Sequence, residues 1–159
     1  MKYFVIADTH FGHQRIIDYC NRPFRSVEDM DKALIKNWNE CVSNQDIVIH
    51  LGDLFLGGRE ACAALINKLN GRKLLIRGNH DNWSDNFYRE IGFEYVSKFP
   101  ILYENFFLMS HAPLQLSETT PYFNFYGHIH NDEKYHDTAT TKCVSVERIG
   151  YRPFLFLEK

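Results

Sequence analysis

Residues 73–81 read Lys73-Leu74-Leu75-Ile76-Arg77 followed at once by Gly78-Asn79-His80-Asp81. An apolar run of strand length that stops in a glycine and three polar side chains is a buried strand opening into a loop that carries function. The same pattern recurs along the chain. Tyr3-Phe4-Val5-Ile6-Ala7 runs into Asp8-Thr9-His10, and Ile47-Val48-Ile49-His50-Leu51 runs into Gly52-Asp53. Phe106-Phe107-Leu108-Met109-Ser110 ends in His111, and Phe123-Asn124-Phe125-Tyr126 ends in Gly127-His128-Ile129-His130. Every run delivers Asp, Asn or His at its C-terminal end, which points to one polynuclear metal site assembled at one edge of a sheet.

Between these runs lie helical patterns. Residues 11–25 are rich in His, Arg and Asn and predict a turn of helix followed by an irregular loop. Ser26 is an N-cap candidate with Glu28 and Asp29 in the first turn, where acidic groups suit the positive end of the helix dipole. Val27, Met30, Leu34, Trp38 and Cys41 or Val42 then recur with a period near 3.6, so the helix is expected to reach about residue 42, with Met30 and Trp38 in the core. A second helix is expected over about 59–70, with Gly71 past its end. A short one, capped by Ser84 or Asp85, should reach Ile91 and close at Gly92, with a short strand at 93–97. The last third reads as strands at 105–110, 123–126, 143–147 and 153–157. Helices interleaved with strands early and mostly strands late predict a layered α/β sandwich with a mixed sheet.

The 159 residues suffice for one domain with a proper core, and a single domain over 1–159 is the expectation. A formal net charge of −2 gives no electrostatic case for a basic, duplex-coating nucleic-acid binder, although bound dications would add positive charge where a phosphate must sit. Cys20, Cys41, Cys62 and Cys143 are widely spaced with no C-x-x-C pair, which favours reduced thiols. Residues 3–7 are too short an apolar run for a signal peptide, and no run approaches transmembrane length, so a cytoplasmic protein without membrane contact is expected. No obligate protein partner is evident.

Asp8 and His10 are two apart at a strand end, so both side chains point to one side and reach one ion. His128 and His130 repeat that spacing after Gly127, which permits a sharp turn and close backbone approach. Either pair alone is a weak signal. In order, however, Asp8-x-His10, Gly52-Asp53, Gly78-Asn79-His80-Asp81, His111 and Gly127-His128-x-His130 resemble the full motif set of the calcineurin-like metallophosphoesterase superfamily. Thr9-His10-Phe11-Gly12-His13, Arg22-Pro23-Phe24 and His50-Leu51-Gly52-Asp53 are further similar to its small single-domain bacterial and phage members.

The resemblance implies a four-layer α/β/β/α sandwich with two mixed β-sheets and a two-metal centre. Asp8, His10 and His130 would hold one ion, Asn79, His111 and His128 the other, and Asp53 would bridge them. The donor set suits manganese first, with iron, nickel or zinc as alternatives, and lacks the thiolates of a structural zinc site. Two such ions, about 3.5 to 4 Å apart, lower the pKa of a bridging water and clamp the phosphoryl oxygens. By the same resemblance His80 stabilises the transition state or protonates the leaving oxygen, and Asp81 orients its ring. His13 is a substrate-contact candidate and Arg22 a phosphate fork, each weighed against a plain surface reading. His50 is expected to make a supporting hydrogen bond beside Gly52-Asp53, and His136 to be exposed. The implied activity is hydrolysis of a phosphate ester by direct attack of metal-bound hydroxide. Phosphodiesters, nucleotides or a nucleic-acid end are favoured because no gap between motifs accommodates a large cap. The alternatives are a phosphomonoesterase and a non-catalytic scaffold of the same fold.

Overall fold

The structure is a computed structural model that describes residues 1–117 and 119–159. Its elements run β1 Lys2–Ile6, α1 Gln14–Tyr19, α2 Val27–Cys41, β2 Ile47–His50, α3 Arg59–Ile66, β3 Arg72–Ile76, α4 Asp85–Glu90, β4 Phe93–Ser97, β5 Ile101–Tyr103, β6 Phe107–Met109, β7 Phe123–Tyr126, β8 Thr141–Cys143 and β9 Phe154–Glu158. They form a five-stranded sheet in the order β4-β3-β2-β1-β9 and a four-stranded sheet in the order β5-β6-β7-β8. In the first, β1 to β4 are parallel and β9 is antiparallel; in the second, β6, β7 and β8 are parallel and β5 is antiparallel. Both sheets are therefore mixed, as expected.

Side-chain alternation decides the layering. Along β1, Phe4 and Ile6 face the helices, while Tyr3 and Val5, with Ala7 beyond them, face the second sheet. The first of these cores takes in Ile16 and Ile17 of α1, Met30, Leu34 and Trp38 of α2, Cys62, Leu65 and Ile66 of α3, and Phe87 and Tyr88 of α4. The other closes over Met109 and Phe125 of the second sheet. The four helices among the described residues thus cover one face of the five-stranded sheet. On the far side, the connection 110–122 between β6 and β7 contains no helix among its described residues.

Ser26 caps α2 by accepting from Asp29 N at 3.2 Å, and Ser84 caps α4 by accepting from Phe87 N at the same distance. Helix α3 stops at Ile66, four residues short of expectation. Its bonds tighten there to three-residue spacing, Lys68 N to Leu65 O and Leu69 N to Ile66 O. The expected strand over 143–147 lies further back, at 141–143. Val144 then donates to Tyr126 O in one sheet while its carbonyl accepts from Ala7 N in the other, so this segment ties the two sheets together. Strand β5 was not among the expected strands. It pairs with β6 across the three residues 104–106: Glu104 and Asn105 both have positive φ, Phe106 N donates to Tyr103 O to close the tight turn, and pairing resumes at Phe107.

Candidate metal centre

Strands β1, β2 and β3 run parallel, as do β6 and β7, and Ala7 and Ser145 form a parallel bridge between the sheets. The C-terminal ends of all these strands therefore meet at one edge, the place where open α/β sheets bind ligands. The loops approach so closely that side chains are excluded. A Cβ on Gly52 would collide with Gly78 N and lie 2.8 Å from His111 Nδ1, and a Cβ on Gly127 would lie 2.6 Å from Asp8 Oδ2. Asp8, His10, Asp53, His128 and His130 all adopt left-handed backbone, with φ between 47° and 73°. Such backbone is costly for non-glycine residues and collects at functional sites.

Asp8, His10 and His130 bring one donor atom each within 4.8 Å of one another. Asp8 Oδ2 accepts from His128 N at 2.8 Å and from the Ser145 hydroxyl at 2.6 Å, whereas the buried Oδ1 has no hydrogen-bond partner. Burial pushes the Asp8 carboxyl up to about 6. His10 Nδ1 lies 3.2 Å from His13 Nδ1, and its buried Nε2 has no hydrogen-bond partner. Burial lowers His10 to about 4, so the ring is neutral at neutral pH and one of its nitrogens carries a lone pair. Buried polar atoms without partners are rare, and two that converge on one point are what a cation would satisfy.

Asp53, His111 and His128 form a second such group, joined by Asn79. His111 Nδ1 sits 2.7 Å from Leu51 O and must donate to it, which leaves the lone pair of a neutral ring on Nε2. That lone pair faces Asn79 Oδ1 at 2.9 Å and His128 Nδ1 at 3.1 Å, and Asn79 Oδ1 is 3.0 Å from His128 Nδ1. Electron-rich atoms converging in this way are complementary to a cation. Between the two groups, Asp53 Oδ2 lies 3.5 Å from His10 Nε2 and 3.6 Å from His111 Nε2. Burial works to raise the Asp53 carboxyl, yet the nearby His10 and His111 imidazoles and the His80 N–H hold it well below the usual range. The residues thus fit two divalent ions of the N- and O-preferring kind, and the described residues include every ligand candidate.

The supports differ from expectation at two positions. Arg22 is no surface fork: its side chain is fully buried, and it donates to Asp8 O at 2.7 Å, Thr9 O at 2.8 Å and Glu147 Oε1 at 2.7–2.9 Å. Its donors are consumed by the backbone beneath the metal edge, so none is left for a phosphate. Nor does Asp81 orient the His80 ring. Its carboxylate accepts from Asp53 N and Gly78 N at 2.8 Å and from Leu54 N at 3.0 Å, which staples the β2 and β3 loops. The reason is geometric: Asp81 is 2% exposed and turns inward, while the His80 side chain is 53% exposed and turns outward.

Glu147, Ser145 and Thr9 are supports that sequence reading missed. His130 Nδ1 lies 3.0 Å from Glu147 Oε1, the kind of contact by which carboxylates orient metal-binding histidines. Burial opposes ionisation of Glu147, but the His130 hydrogen bond and the Arg22 charge outweigh it and hold the carboxyl down to about 2. His50 does make a supporting bond. Its Nδ1 accepts from Gly52 N at 3.1 Å, so a neutral ring carries its proton on Nε2, toward Thr9 Oγ1 at 3.0 Å, and that hydroxyl donates on to Leu54 O. His13 is half-buried at the margin of the site, and His136 is exposed.

Two expected outcomes follow from these supports. Glu147→Gln, which keeps shape but loses charge, should weaken metal binding by about 10- to 100-fold in a calorimetric titration. An unchanged affinity would remove Glu147 from the site. Arg22→Ala leaves Glu147 buried without its cation and should cost about 3–5 kcal/mol in denaturant unfolding. Unchanged stability with weaker substrate binding would return Arg22 to the phosphate.

The sequence matches the calcineurin-like phosphoesterase family over residues 1–156, and the chain belongs to that family. An uncharacterized protein of Methanocaldococcus jannaschii is 38% identical over 163 residues, covering 96% of this chain and 85% of its own. The Gene 66 protein of Mycobacterium phage L5 is 38% identical over 78 residues, 47% of this chain and 37% of its own. Among solved structures, a protein of unknown function from Aquifex aeolicus shares the fold with a TM-score of 0.75 and 24% identity, covering 97% of this chain and 95% of its own. Nuclease MPE of Pseudomonas putida shares it with a TM-score of 0.54 and 24% identity, over 80% of this chain and 61% of its own. No helix among the described residues is long and apolar enough to cross a membrane.

Proposed function

We propose that this chain is a single-domain, dinuclear metal-dependent phosphodiesterase, loaded with manganese and working in the cytoplasm on nucleotide or nucleic-acid diesters. The observation that carries the reading is the Asp53 carboxylate, one oxygen of which stands 3.5 and 3.6 Å from imidazole nitrogens belonging to two separate ligand groups. Asp8, His10 and His130 would hold one ion, and Asn79, His111 and His128 the other. When bound, such ions supply a water of lowered pKa and positive charge against the phosphoryl oxygens. The chain supplies position and a proton. Asp53 keeps the two groups in register, Asp81 keeps the Asp53 and Gly78 loops together, and Glu147 fixes the His130 ring. His80 Nε2, on the open side 4.0 Å from Asp53 Oδ2, donates the proton that the leaving oxygen needs. The openness of this edge supports a diester with groups on both sides, and the likeness in fold to a nuclease agrees with that class.

Metal-stripped protein reconstituted with Mn²⁺ tests the reading on bis(4-nitrophenyl) phosphate and 4-nitrophenyl phosphate. Faster diester cleavage at two bound ions per chain is the expected result. Preference for the monoester would make the protein a phosphatase, and full activity with one ion per chain would end the dinuclear assignment.

A further inference from the structure

Beside His80 lies a cavity of about 150 Å³ lined by Phe55, Leu56, Gly57, His80, Asn82 and Trp83. It is built from the residues that follow the two central motifs, Phe55 two positions after Asp53 and Trp83 three after His80. Apart from His80 no lining residue is ionisable, so the cavity suits a neutral group rather than a second phosphate. Its size is that of apolar cavities that take up one benzene ring. Two of its walls are aromatic: the Phe55 and Trp83 rings stand 6.3 Å apart at 32°. Both are held from behind. Trp83 packs edge-on against Phe87 at 4.8 Å, and Phe55 is fixed by a bridge to Phe11. On the Phe55 side the chain is stripped of side chains, since a Cβ on Gly12 would lie 3.2 Å from the ring and one on Gly57 2.7 Å. The Asn82 amide adds a donor and an acceptor, the pairing that base edges present.

Resting on the phosphodiesterase reading above, we propose that this cavity seats the base of a nucleotide phosphodiester, on the side of the leaving oxygen that His80 protonates. Its walls select the substrate by stacking. The cavity's dimensions favour a single ring, hence a pyrimidine, and Trp83 and Phe55 are the specificity-determining residues.

The test uses the full chain reconstituted with Mn²⁺ and thymidylyl-thymidine, alongside two analogues in which one thymine or the other is absent. All keep alkoxide leaving groups. Loss of one particular thymine should lower kcat/KM on the order of 10- to 100-fold, the range that base–aromatic stacking supplies. Loss of the other should leave it nearly unchanged. Trp83→Ala should erase that ratio, and because Trp83 also packs against Phe87, Leu56→Asp at a side chain 46% exposed provides a second variant that should reduce it. Equal cleavage of all three esters, or a ratio that survives Trp83→Ala, overturns the proposal. If bis(4-nitrophenyl) phosphate is cleaved without any base effect, the cavity assignment falls alone. If no ester is cleaved, the function falls, and fluorescence decides the cavity. Trp38 is buried, so quenching by thymidine reports on Trp83 without turnover, and its absence overturns the assignment.

Discussion

Asp53→Asn should lose about a thousandfold or more in kcat and bind fewer than two ions per chain. The loss follows from the position of one atom. Oδ2 is shared between the group built on Asp8 and the group built on His111, standing within 3.6 Å of an imidazole nitrogen of each. An amide keeps the shape but removes the negative charge that both ions would share, and its NH₂ presents hydrogens where lone pairs are required. Two-metal stabilisation is worth several kcal/mol, and each 1.36 kcal/mol is a factor of ten in rate. The fold should survive, because the amide oxygen can still accept from His80 N, as Oδ1 does at 2.9 Å. Near-native circular dichroism with lost turnover and reduced metal content is therefore the expected combination. Activity within tenfold of wild type, with two ions bound, would show that the two groups do not depend on a shared carboxylate.

The strand ends were legible because each β-strand writes its apolar run and its loop in adjacent residues. The ligand candidates Asp8, Asp53, Asn79, His111 and His128 all follow such runs, and the structure brings them together with His10 and His130. The helix starts were legible too, since Ser26 and Ser84 carry the cap chemistry themselves. What failed to show was any role that depends on a distant partner. Arg22 stands in a charged loop and reads as exposed; only the folded chain presents the carbonyls of Asp8 and Thr9, and Glu147 from 125 positions away, to bury it. Glu147 and Ser145 lack any local pattern because one residue of a common type, placed by the crossing between sheets, does the work. Asp81 misled for the opposite reason. Adjacency to His80 suggested a contact, but the two residues stand on a turn closed by Asp81 N on Gly78 O, and Asp81 points inward to the backbone of Asp53 and Leu54 while His80 points out. Strand β5 escaped because three residues are too few to display alternation, and its turn uses Glu104-Asn105 where Asn-Gly is the recognisable signal.

His80→Ala separates the chemistry from the metal site and should lower kcat by about 10²–10⁴ with metal content unchanged. The two halves of this expectation have different structural grounds. Metal content should hold because the His80 ring is absent from both ligand groups, and because its contribution to the site's architecture is its main-chain N–H on Asp53 Oδ1, which alanine retains. The Gly78 and Asp53 loops should likewise stay joined, since the Asp81 carboxylate and the His80 main chain, not the His80 ring, bond them. Rate should fall because the ring, 53% exposed and outside both ligand groups, is placed to meet the ester oxygen rather than an ion. Its neighbour His10 lies edge-on at 5.6 Å between ring centres and, being buried, cannot move over to replace it. An ester with a good leaving group needs less protonation, so the loss on 4-nitrophenyl esters should be smaller than on thymidylyl-thymidine. Equal losses on both substrates would assign His80 to binding the phosphoryl group instead of protonating the leaving oxygen. A loss of one ion per chain would make His80 a ligand and overturn the division of labour between this side chain and the seven ligand candidates Asp8, His10, Asp53, Asn79, His111, His128 and His130.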